Sequence, residues 1–292
     1  MQKTLLLWIF LAGICAVSAT RAVAQATAAG RIVLARVAGN VTVADNATKA
    51  ESPAANGREI SQGFTVKTTT GASVVLVFSN GATINLQEDS ELNIEKYLQD
   101  PFAQDFNPAT ATEEPSSSIT ALNLTKGELV GNVKKLNKEK ASSFNVQTPV
   151  GAAGIRGTTF RIVYRSQPNG TVIFTLTTTD GTVVLATGTV TLPVGAGANN
   201  DLATEVLIEA TVDPATGAIT ITSAPATATS APTSSIVAVT AAAANIAQAV
   251  AGVVFAPGAA SQGTQPNDGT RASPNAVPPL PTLTVGAGGP NP

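Results

Sequence analysis

The residue types missing from this chain constrain its chemistry more than those present. Among 292 residues there is no histidine, and Cys15 is the single cysteine. The commonest general base and the commonest metal ligand are therefore gone, and Ser-His-Asp, Cys-His and histidine-zinc chemistry are excluded. What remains is carboxylates, lysines and one well-placed arginine. Arg156 stands between Gly154 and Gly157 in GIRGT, where its fork of donors could take a carboxylate or phosphate. The same fork could instead pair with a nearby carboxylate or with carbonyls and pin a backbone corner, and its place in a strand, corner, strand unit favours that second role.

Three charged groups admit the same two kinds of role. Lys126, Lys134, Lys135, Lys138 and Lys140, with Glu128 and Glu139 among them, could bind a polyanion, but lysines at strand edges more often block edge-to-edge pairing. Glu88, Asp89, Glu91 and Glu95 lack the alternating ligands and the glycine of a calcium loop, and read as a solvated face. Glu113 and Glu114 sit in a loop-forming stretch, with nothing to place them on opposite sides of a glycosidic bond. No catalytic, metal or cofactor set emerges, so the expectation is a protein that is not an enzyme and carries no cofactor. For sugar binding, surface asparagines and Tyr97 are the candidate contacts.

The elements that must position Arg156 are short strands. Phe144 and Val146 alternate with polar neighbours, as do Phe160 and Ile162, giving each run one apolar face at period two. Pro149 cannot donate to a ladder and closes the first run, while Gly151, Gly154 and Gly157 open backbone positions closed to other residues. Upstream, strands are expected around Gly39-Asn40 within Ile32–Val43, then at Phe64–Thr68, Ser73–Phe78, Thr83–Leu86 and Glu91–Ile94. Asn80-Gly81 reads as a two-residue hairpin turn with both residues at positive φ. After an exposed loop from Gln99 to Ser118, strands follow at Ile119–Leu124, Glu128–Lys134, Phe160–Arg165, Thr171–Thr177, Thr182–Ala186, Thr189–Val194, Thr204–Val212 and Ala218–Thr222.

This pattern predicts an all-β fold, either a short stacked β-solenoid or roll or a β-sandwich, with one C-terminal Ala-rich helix and a disordered tail. The expected divisions are a signal peptide at 1–24, N-terminal strands and loop at 25–56, a β domain at 57–222, a linker at 223–233, the helix at 234–255 and a Pro/Gly-rich tail at 256–292. Lys3, the apolar run from Leu5 to Val17 and the small-residue site Ala22-Val23-Ala24 form the export signal. That run is shorter than the ~20 residues that span a membrane, and Ile14 before Cys15 disfavours a lipoprotein. The uncharged stretch from Ile236 to Phe255 could dock, span or stay mobile, and weakly hydrophobic alanines with Thr240, Asn245 and Gln248 disfavour a stable span.

Cleavage after Ala24 removes Lys3 and Arg21 and leaves 15 basic residues against 19 acidic, a net charge of −4. From Thr171 onward Arg271 is the only cation. Nucleic acid, which needs several phosphate-neutralising cations on one surface, is an unfavourable partner. A cysteine-free exported chain must be held by burial and hydrogen bonds alone.

The spacing of Phe144, Val146, Thr148, Pro149, Arg156, Gly157, Thr158, Phe160 and Ile162 resembles the signature of the FecR family. Thr68, Gly71, Leu76, Asn80, Gly81, Leu86 and Ser90 match its upstream stretch. Leu124, Gly127 and Leu129, with Val133 beyond, match its middle element, and Asp180, Gly181, Val183 and Leu185 its downstream one. The likeness covers roughly residues 57 to 190. It implies that Thr148, Pro149, Arg156, Gly157, Thr158 and Phe160 are motif residues with structural roles. The family's best-known members are membrane regulators with a cytoplasmic anti-sigma region, one transmembrane helix and this domain in the periplasm. The expectation here is a stand-alone exported form without the anti-sigma region, periplasmic, secreted or on the cell surface, that binds a protein partner or signals at the envelope. A structural or carbohydrate-binding envelope protein is the alternative.

Overall fold

The computed structural model describes residues 28–137, 141–187, 191–195, 203–213 and 215–257. The expected signal peptide and nearly all of the expected tail lie outside them. In chain order the strands are β1 (Ala28–Ala29), β2 (Ile32–Ala38), β3 (Val41–Asp45), β4 (Glu51–Pro53), β5 (Glu59–Ile60), β6 (Phe64–Thr68), β7 (Ser73–Phe78), β8 (Thr83–Leu86) and β9 (Glu91–Gln99). They continue with β10 (Ser118–Asn132), β11 (Ser143–Thr148), β12 (Gly151–Ser166), β13 (Thr171–Thr187), β14 (Thr191–Gly195), β15 (Thr204–Val212), β16 (Ile219–Ser223) and β17 (Thr229–Ser230), followed by helix α1 (Thr233–Val250).

The ladders sort these strands into two layers. One runs β5, β2, β7, β8, then the C-terminal half of β10, the C-terminal half of β12, the N-terminal half of β13, and β15 with β16 and β17 beside it. The other runs β4, β3, β6, β9, then the opposite halves of β10, β12 and β13, with β11 between β10 and β12 and β14 at the margin. Because β10, β12 and β13 serve both layers, the ladders join into one continuous network, while the outer strands leave margins among the described residues. A solenoid stacks its rungs in parallel; among the described strands β10 and β11 alone pair that way, and the layered member of the expected alternatives describes the antiparallel rest.

Both layers turn their apolar faces into one core. It includes Leu34, Leu76, Phe78, Ile84, Phe160, Ile162 and Phe174 from the first layer, and Val43, Val66, Leu92, Leu122, Phe144, Val146 and Val183 from the second. Phe78 and Phe144 meet edge-on across the layers with ring centroids 6.0 Å apart, a favourable aromatic geometry. Ile32 and Val41 belong to the same cluster, so the strands of 25–56 share a core with those that follow.

Each long strand changes layer at a glycine with positive φ: Gly127 in β10 (95°), Gly157 in β12 (61°) and Gly181 in β13 (73°). Register shifts beside Gly127 and Gly157 mark β-bulges, which bend a strand without ending it. The expected breaks between Leu124 and Glu128, and at Asp180-Gly181, are therefore bends in continuous strands. Gly151 and Gly154 are not at positive φ. The β11–β12 connection is the two-residue turn Pro149-Val150. At Asn80-Gly81 only Gly81 has positive φ, and Phe78 N–H donates to Ala82 O across a wider turn.

Helix α1 and the Phe102, Phe106 and Ala111 part of the 100–117 segment lie on the outer face of the first layer. Ile246, Ala249, Val250 and Phe255 pack with Val75, Val77 and Phe106, and Val239 and Ala242 cover Val130. Phe106 and Phe255 exchange two backbone hydrogen bonds of 2.9 Å, so the segment expected to be an exposed loop is docked in part. By length and hydropathy α1 qualifies as a membrane span, yet one side of it is buried on the sheet.

Candidate functional site

The outer face of the second layer carries no helix among the described residues, and there the corner at Gly157 opens a cleft of about 970 Å³. Three strands build one side of it. Asn145 of β11 pairs with Gly154 of β12, Gly154 with Val184 of β13, and Arg156 with Thr182, so these residues share a face at the two-residue period. The other side comes from a distant stretch, Lys135, Leu136 and Asn137, together with Glu113 and Glu114. Of the apolar residues around it, Phe144, Ile155 and Leu136 are buried in the core, while Val184 remains 46% exposed.

The backbone under Arg156 is held firmly. The Thr158 hydroxyl donates toward the carbonyls of Arg156 at 3.0 Å and Thr182 at 3.3 Å. Thr158 and Val133 exchange two backbone bonds of 3.0 Å, which brings Lys135 alongside: a methyl group on Gly157 would meet Lys135 Cγ at 3.5 Å. The Arg156 side chain is exposed, and among the described residues its guanidinium makes no hydrogen bond or ion pair. Both Glu114 oxygens are engaged, one by Asn137 N–H at 2.6 Å and the other by the Ser118 hydroxyl at 2.7 Å. The site thus presents an unpaired donor fork on a held backbone, beside the exposed Val184.

The other motif residues face inward or hold turns. Phe160 is fully buried and Thr158 nearly so. The Thr148 hydroxyl bridges the Pro149-Val150 turn, donating to Gly151 O at 2.9 Å and accepting from Gly151 N–H at 3.3 Å.

Residues 64–191, less than half of the chain, match the FecR protein family. This segment is a FecR domain. Two crystal structures of a candidate anti-sigma factor from Parabacteroides distasonis ATCC 8503 are also similar, each 14% identical with a TM-score of 0.34. The alignment covers 56% of this chain and 60% of that one, so the chain spans less than two thirds of that protein's length. No curated protein matches.

The FecR domain and its flanks use the remaining charged candidates singly. Thr70 donates to Asp89 at 2.9 Å, Gly71 N–H to Glu88 at 2.7 Å and Asn123 to Glu95 at 3.0 Å, and no group of three or more acidic, cysteine or histidine side chains converges among the described residues. Lys134 is partly buried and desolvation lowers its pKa, while Lys126 and Lys135 are exposed. Lys138 and Lys140 lie outside the described residues. Tyr97 is fully buried, so it offers no ring for a sugar. Its hydroxyl accepts from Asn80 N–H at 2.8 Å and lies within 2.9 Å of the Ser79 hydroxyl and 3.1 Å of Gln99 Oε1, and burial raises its pKa well above the usual phenol range.

One charged cluster in the FecR domain escapes sequence reasoning. Glu128 accepts from Arg161 at 2.7 Å and Arg165 at 3.2 Å, on the first layer's outer face, and Arg161 reaches Ser235 of α1 at 3.5 Å. The partners are 33 and 37 residues apart in sequence. The available signal was strand parity: Glu128 shares an outward face with Val130, and Arg161 with Arg165.

Proposed function

We propose that this chain is an exported, non-enzymatic binding module of the cell envelope that engages a protein partner or relays a signal there. The observation that supports this reading best is the cleft at the Gly157 corner, with its unpaired Arg156 guanidinium on a rigid sheet. Rigid scaffolds that display a few polar groups beside apolar surface are suited to recognition. The export-signal pattern at 1–24 supports an envelope location, and the absence of histidine supports a role without acid-base catalysis. In this reading the FecR domain and flanking strands form the module, and α1 stays docked on the sheet rather than crossing a membrane.

The test is photo-crosslinking in the native envelope from a reactive residue at Val184, with exposed Thr48 on a remote turn as control. A protein adduct from position 184 and not from 48 is expected, on a chain cleaved after Ala24 and found outside the cytoplasm. A full-length cytoplasmic product, or no adduct at 184, would overturn the reading. A specific glycan-array signal without any protein adduct would move the assignment to the carbohydrate-binding alternative.

A further inference from the structure

We infer that the Gly157 corner cleft is a carboxylate-recognition site for a peptide segment of a protein partner, with Arg156 as the specificity-determining residue. The inference rests on the binding-module reading and names the chemistry of its ligand. A guanidinium presents donors in a planar fork that a carboxylate matches with two parallel bonds, and such charge-assisted pairs are roughly twice as strong as neutral ones. Arg156 has that fork free among the described residues. The backbone beneath it is held by the hydrogen bonds of Thr158, so the ordering cost when the acid arrives falls on the arginine side chain and not on the strand.

The surroundings favour a peptide over other anions. Lys135 lies next to Gly157 and adds a second cation, whereas Glu113 and Glu114 on the same wall keep the cleft from acting as a general anion trap. Attraction is therefore local to the fork, and a highly charged polyanion gains little. Val184, 46% exposed, pairs in register with Gly154 and offers an apolar contact beside the arginine. An acidic group with a neighbouring aliphatic or aromatic side chain satisfies both features. An acidic polysaccharide would meet the arginine but lacks a stacking ring, since Phe144 is 1% exposed.

The carboxylate could be a chain terminus or an internal Asp or Glu, and the experiment separates these sources. The mature chain is titrated by fluorescence anisotropy with three labelled peptide pools of matched apolar content: free C-terminal acids, their C-terminal amides, and amides with one internal Glu. Polygalacturonate serves as a fourth probe. Saturable binding of the first or third pool, and none of the amide pool without an acid, is the expected result. Arg156→Ala and Arg156→Lys should each weaken that binding at least tenfold while the melting temperature stays unchanged, because lysine keeps the charge and loses the fork. Val184→Asp should weaken it as well. Equal binding by Arg156→Lys, equal binding of the acid-free amides, or saturable binding of polygalacturonate alone would overturn the inference. Failure here is separable from failure of the binding-module reading: a position-184 crosslink that persists in Arg156→Ala leaves the module intact and removes the carboxylate site, whereas absence of any crosslink removes the module itself.

Discussion

Arg156 and Arg161 share strand β12 and meet opposite surroundings. Arg161 lies on the first layer's outer face, bonded to Glu128 at 2.7 Å and within reach of Ser235 on the helix that covers this face. Arg156 lies across the Gly157 bend on the second layer's outer face, exposed and unpaired among the described residues. One residue type on one strand is thus built into the fold on one side and left available on the other. The bend decides which, because it carries the strand from a covered layer to an open one. The two outer faces should therefore respond differently to the same chemical insult.

The largest contrast is expected from placing an aspartate on each face. Val75 is 1% exposed and packs in one cluster with Ile246, Ala249 and Val250 of α1, and Val75→Asp would leave a carboxylate in an apolar contact, costing about 3–5 kcal/mol. Val184 is 46% exposed, and Val184→Asp should cost no more than about 1 kcal/mol, the span of strand propensity. Urea denaturation of both variants checks this. Equal losses would mean that the helix does not seal its face, or that the open face is covered.

A smaller effect is expected at Glu128. Its side chain is 11% exposed and Arg161's 16%, but Arg165's is 49%, so water screens part of the cluster. Glu128→Gln should cost about 1–3 kcal/mol through loss of charge-assisted hydrogen bonds, and α1 should loosen with it. Hydrogen exchange at the helix N-terminus, near Ser235, would report the loosening. Full protection there would show that the helix is held by its apolar face alone.

The bend comes next. Gly157 has φ 61°, and an added methyl would make only ordinary contacts with Lys135. The cost of Gly157→Ala is then conformational, about 1–2 kcal/mol for an L-residue in the left-handed region. A loss well beyond that would mean the corner cannot relax at all, and no loss would mean that the strand reaches its second layer without the positive φ.

Much of this contrast was legible in the sequence, and the illegible part has a physical cause. Alternation and flanking turn residues placed Phe64–Thr68, Ser73–Phe78, Thr83–Leu86 and Thr204–Val212 at their observed bounds, because period two is a local property. Gly127, Gly157 and Gly181 were visible as corners, but glycine marks a bulge as readily as a turn, and only the distant ladder tells them apart. Asn80 is the turn residue the sequence suggests, but its burial is not legible there: it is 1% exposed, and its amide donates to Ser118 at 3.0 Å. Arg156 stood out from its neighbours, while its cleft did not, since the wall of Lys135 and Asn137 is brought to it by the distant pairing of Val133 with Thr158.

The smallest expected effect sharpens the comparison most. An arginine that pins a corner must lose stability when it is removed, since its partners are left without donors. Arg156 has no such partner among the described residues, and the corner is already tied by Thr158. Arg156→Ala should therefore change stability by less than about 0.5 kcal/mol, the range of surface substitutions free of special contacts. Thr158→Val should be destabilising, because it removes the hydroxyl that joins the carbonyls of Arg156 and Thr182 and leaves both to find other donors. Thermal melts of the two variants rank the roles directly. If Arg156→Ala melts lower than Thr158→Val, the guanidinium belongs to the fold as Arg161 does, and the open face has no arginine free for a ligand.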